Sequence, residues 1–77
     1  MTDSSQLRAA RTDPAAFESF YRRWAPALHA WLRTQVPPDA AGDLTAEAFA
    51  QALLGLGRFR GHEPGAGVAW LISVLRD

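Results

Sequence analysis

Asp13-Pro14-Ala15-Ala16-Phe17-Glu18-Ser19-Phe20-Tyr21-Arg22-Arg23-Trp24 opens the longest helical pattern in the chain, and its reading decides the fold class. Aspartate followed by proline is a helix start: the carboxylate accepts from free amides, and proline suits the first helical position. Phe17, Phe20, Tyr21, Trp24, Leu28, Trp31 and Leu32 then recur at three- and four-residue steps, which puts them on one helix face. Pro26 lies inside this run, where it removes one backbone hydrogen bond and predicts a bend nearby. Pro37-Pro38 ends it. No stretch alternates with period two over a useful length, so the class is all-α with no sheet.

Working outward, a second helix is expected from near Asp39 to Leu56. Thr45, Phe49, Ala52, Leu53 and Leu56 form its inward stripe, and Asp43, Ala46, Glu47 and Ala50 fall on the other side. Gly42 weakens its first turn, and Gly55 and Gly57 mark its end. A third helix runs from about Gly67, with Val68, Leu71, Ile72 and Leu75 inward. Ahead of Asp13, Ser5 to Arg11 suits a short helical turn. The expected architecture is a compact three-helix bundle with an additional short N-terminal helical turn. Residues 1–12 form a polar segment or short helix and residues 13–77 the helical domain. Phe17, Trp24, Leu28, Phe49, Leu53, Leu71 and Leu75 are the expected core.

A chain of 77 residues makes one small domain or part of something larger, with little stability to spare. Its 48% hydrophobic content favours a folded core over disorder. Cysteine is absent, which removes disulfides and thiolate metal sites and fits a reducing, cytoplasmic setting. Arg22, Arg23 and Arg33 interrupt the longest apolar pattern, so no membrane span is expected, and Thr2 to Gln6 lacks the plan of a signal peptide. Basic and acidic residues number 8 each, giving zero net charge, whereas strong duplex binders are usually basic. Every basic residue is arginine; arginine gives bidentate phosphate contacts, and a compositional bias accounts for the same fact.

Asp43 and Glu47 stand four apart, so their carboxylates neighbour one another. Enzymatic use of the pair would need a pocket and a perturbed pKa, which leaves a partner-facing acidic patch or a solvated face. Arg58 and Arg60 flank Phe59 at a helix end. They suit phosphate contacts, and the helix dipole alone also favours arginine there. Phe59 itself reads as core. Gly61 to Gly67, holding His62, Glu63 and Pro64, is a glycine-rich connection whose backbone can approach a ligand closely or simply join two helices. His62 has only His29 as an imidazole partner, a helix away, so no metal set forms. No nucleophile–base constellation appears, and the reading is non-enzymatic, with no cofactor.

Asp43-Leu44-Thr45-Ala46-Glu47-Ala48-Phe49, then Arg58-Phe59-Arg60-Gly61, then Trp70-Leu71 together resemble region 2 of the extracytoplasmic-function (ECF) sigma factors. The likeness covers about Asp13 to Asp77 and rests on the order and approximate spacing of the three segments. It implies a transcription-initiation role in the bacterial cytoplasm. Asp43, Ala46, Glu47 and Ala50 would dock on the clamp helices of core RNA polymerase. Arg58, Arg60, His62, Trp70, Arg76 and Asp77 would meet the −10 promoter DNA, with the loop capturing a base turned out of the strand. An anti-sigma factor is a further implied partner. In the family the last helix continues, and a linker and second DNA-binding domain follow; the expectation is that this second domain is absent from this chain. Ala46 stands where the family has Gln, Asp77 where it often has Asn, and the loop is about two residues longer than the family's common spacing. The alternative reading is a sigma-like protein-interaction module, binding an anti-sigma factor or itself without DNA.

Overall fold

Asp13 does cap a helix: its side chain accepts a hydrogen bond from the Ala15 amide at 3.0 Å, and Pro14 takes the first helical position. The computed structural model describes residues 2–75, and they contain four α-helices and a 3₁₀ turn. These are α1 (Asp3–Ala10), α2 (Pro14–Leu32), α3 (Pro38–Leu54), the turn Leu56–Arg58, and α4 (Ala66–Val74). There is no strand among the described residues, so the all-α reading holds. The α2 helix runs through Pro26 without interruption. The next helix starts on Pro38 with no side-chain cap and stops at Gly55, ahead of the 3₁₀ turn rather than at Leu56.

The helices close a ring: α1 packs on α2, α2 on α3, α3 on α4, and α4 back on α1. The N-terminal segment is therefore more than a turn. Thr2 and Ser5 form a reciprocal capping box that starts α1, Leu7 is wholly buried, and Ala10 lies with it in the core. A short helix with only two such apolar positions carries little hydrophobic signal, because its other buried residues are Asp3, Ser4 and Gln6.

Aromatic rings hold α2 to α3. Phe49 meets Phe20 at 5.9 Å, Phe17 at 6.4 Å and Tyr21 at 4.9 Å between centroids, all near edge-to-face, the preferred geometry for such pairs. Leu28, Phe49 and Leu71 are buried as the helical spacing predicts. Phe17, Trp24 and Leu75 pack against this core but stay half-buried.

Leu53 is a correction: it is 52% exposed. The inward stripe of α3 is Ala41, Thr45, Ala48, Phe49 and Ala52. Leu53 sits roughly 100° around the helix from its centre at 100° per residue. There it borders a shallow groove with Ala10, Pro14, Phe17 and Tyr21 instead of entering the core. In α4, Leu71 is buried, while Val68 and Ile72 are half-buried.

Candidate interaction surfaces

Two surfaces carry the residues singled out by sequence. The first is the outer side of α3. Asp43, Ala46, Glu47 and Ala50 are all exposed there, because the small inward stripe of alanines and Thr45 seats the helix close to its neighbours and turns this side to solvent. Glu47 accepts a hydrogen bond from Gln51 Nε2 at 3.0 Å, one turn on. The same side ends in Leu54, 81% exposed. It is thus acidic at its start, small in the middle and apolar at its end. Neither Asp43 nor Glu47 forms an ion pair among the described residues.

The second surface is the end of the molecule formed by the 3₁₀ turn, the loop Gly61 to Gly67 and the start of α4. Phe59 is buried, and its ring lies 5.4 Å from that of the half-buried Trp70. Arg58 is exposed and reaches over Gly55, where a Cβ would stand 2.9 Å from its guanidinium and 3.4 Å from the Trp70 ring. Arg60 is exposed too, but its guanidinium turns back to donate to the carbonyls of Gly57 and Phe59. That closes the end of the 3₁₀ turn and occupies part of its donor capacity. His62 is exposed on the loop. Arg58, Arg60 and Trp70 thus share this end. Arg76 and Asp77, also singled out by sequence, lie outside the described residues.

The loop itself is ordered by residues that sequence reasoning passed over. Asp3, at the start of α1, takes the Gly65 amide on Oδ1 at 2.9 Å and the Val68 amide on Oδ2 at 2.8 Å. Ser4 Oγ donates to the Glu63 carbonyl at 2.6 Å and accepts from the Gly67 amide at 3.0 Å. Arg8 Nη1 donates to the Gly61 carbonyl at 2.7 Å. Gly65, which precedes α4, has a left-handed φ of 91° and no side chain to cap with. Asp3 therefore caps α4 from another helix, where the unpaired amides and the dipole favour a carboxylate.

Burial of Asp3 acts to raise its pKa, but the hydrogen bonds from Gly65, Val68, Ser4 and its own backbone amide together outweigh this. The carboxyl lies below its ordinary value. Gly67 is as small as this approach requires: a Cβ would stand 3.0 Å from the Asp3 backbone. The one legible signal was the pair Asp3-Ser4 itself, both strong capping types. It pointed to the start of α1, where Thr2 does that work, and not to α4 some sixty residues on.

Beside the loop, a cleft lies between α2 and α4, bordered by Arg23, Trp24, Asp3, Pro64, Gly65 and Val68. The Arg23 guanidinium lies 5.2 Å from the Trp24 ring centroid, within cation–π range. The indole Nε1 of Trp24 is buried with no protein acceptor. Among the described residues no three His, Cys, Asp or Glu side chains come together to hold a metal ion. No helix there is long and apolar enough to cross a membrane. The chain matches no protein-family model, no curated protein and no solved structure.

Proposed function

We propose that this chain is a transcription-initiation module of the ECF sigma region 2 kind, binding core RNA polymerase through the outer side of α3 and single-stranded −10 DNA through the loop end. The observation that carries the reading is the outer side of α3, where Asp43, Ala46, Glu47 and Ala50 are exposed together. An acidic start steers a basic partner into register. Ala46 and Ala50 let that partner's backbone come close, and Leu54 supplies apolar area to be covered. The loop end adds Arg58 for phosphate contact, and the cleft beside the loop adds Arg23 and the face of Trp24 for an unstacked base. Opening of the duplex would follow from trapping unstacked bases, driven by binding free energy with no cofactor consumed.

Charge reversal tests the docking half. Asp43→Arg with Glu47→Arg should slow association with a purified polymerase clamp fragment and weaken the complex. Binding that is unchanged in the double variant removes this reading.

One observation favours a second reading, a protein-interaction module without DNA. Leu53 and Leu54 stand exposed at the end of α3, and Tyr21 is 46% exposed nearby on α2. Arg8 and Arg60, meanwhile, spend donors on backbone carbonyls. Polymerase or anti-sigma binding with no strand binding would select this reading.

A further inference from the structure

The segment that the sequence presents as a free, glycine-rich connection is held, together with the first turn of α4, at five points by one short helix. Asp3 and Ser4 are 4% and 0% exposed, yet both are polar, and neither is spent on its own helix's interior packing. Their side chains, with Arg8, instead satisfy Gly61, Glu63, Gly65, Gly67 and Val68, all in the loop or the first turn of α4. The Ala66 amide, the one left between them, bonds to the Glu63 carbonyl. Every backbone amide from Gly65 to Val68 therefore has a partner, and three of the four partners are not the loop's own.

Burying a carboxylate and a hydroxyl costs free energy unless their bonds are made. Apolar residues of similar size would fill the same space but would leave the amides of Gly65, Gly67 and Val68 without acceptors. The arrangement fits a loop that must keep one conformation. A strand-capturing loop gains from this, because its apparent affinity falls in proportion to the fraction of time it spends in the competent form.

Resting on the strand-binding reading above, we propose that Asp3, Ser4 and Arg8 are positioning residues for DNA capture. On this view α1 is a clamp that fixes the loop Gly61 to Gly67 in its binding form, and no residue of the clamp need touch the strand. The carboxylate also fills the anion-favouring start of α4, so strand phosphates are met elsewhere, at the arginines.

The test uses the full chain with Asp3→Asn combined with Ser4→Ala, and separately Arg8→Gln, which removes the most exposed point of the clamp and keeps the buried pair. Asp3→Asn alone keeps one carbonyl acceptor and should fall between the double variant and the unaltered chain. Amide hydrogen exchange should quicken at Gly65, Gly67 and Val68 while α2 and α3 keep their protection. Binding of a mixed-sequence, labelled single-stranded DNA in the presence of core polymerase should weaken by about tenfold if the loop is competent about a tenth of the time. Affinity for polymerase alone should not change. Unaltered loop exchange in both variants overturns the clamp. Loosened exchange with unaltered strand affinity overturns its role in DNA capture. If the unaltered chain binds no strand even with polymerase, the strand-binding reading fails, and the DNA role of the clamp fails with it. The exchange result then stands separately.

Discussion

Phe49 touches three other aromatic rings and is 4% exposed, so it holds two helices together more than it fills one space. Phe49→Ala should lose about 3–5 kcal/mol, read as a lower midpoint in urea denaturation, and so small a domain has little to spare. Asp3 makes a second prediction through pH. Its folded-state pKa is below the ordinary 3.8. Its contribution is therefore fully present above that value and lost as pH falls through the lower folded one. Asp3→Asn should be less stable than the unaltered chain at pH 7, with the difference narrowing below about pH 4. Denaturation at both pH values checks it, and a gap that widens in acid contradicts the assigned bonds.

Among the elements, α3 is locally the least consistent. It begins on Pro38 without a side-chain cap and carries Gly42 in its first turns. A Cβ at Gly42 would meet nothing within 4 Å, and the residue is exposed. Gly42→Ala should therefore stabilise the chain by about 0.5–1 kcal/mol, because it removes backbone freedom from the unfolded state without a clash. A rise in thermal midpoint would show this, and a fall would mean that the helix is not formed as described. α1 has the opposite character: it is well capped at its start, apolar at few positions, and tied to α4 by polar bonds. Its stability comes from the ring of helices it closes rather than from its own propensity.

The whole molecule has a radius of gyration of 11.8 Å, against about 11.5 Å for a compact chain of this length, so it has packed as tightly as a single domain should. It is electrically neutral, with exposed carboxylates on α3 and exposed Arg58 and Arg60 at the loop end. On the proposed strand-binding reading, binding by the domain alone should accordingly be weak. If Arg58 and Arg60 each neutralise one phosphate, the logarithmic salt slope should be about −1.4. Titration of a labelled single strand at several salt concentrations reads the slope directly. Tight, salt-insensitive binding would contradict an electrostatic contact.

Helical class, the start of α2 at Asp13-Pro14, the burial of Phe49 and Leu71 and the exposure of the Asp43–Ala50 side were all legible in the sequence. Each follows from periodicity or capping within one element, and those signals act over a few residues. Leu53 escaped because spacing marks a face but not its edge: whether a residue roughly 100° off centre is covered depends on where the neighbouring helix starts. α1 escaped because its buried side is largely polar, and polar residues announce a surface unless their partners are known. Those partners, Glu63 to Val68, lie at the far end of the chain and reach Asp3 and Ser4 only when α4 folds back on α1. Local chemistry thus determined which segments coil and, outside α1, the centre of the side each one hides. Only the tertiary structure decided that the loop is held, because its hydrogen bonds join residues that no short-range pattern connects.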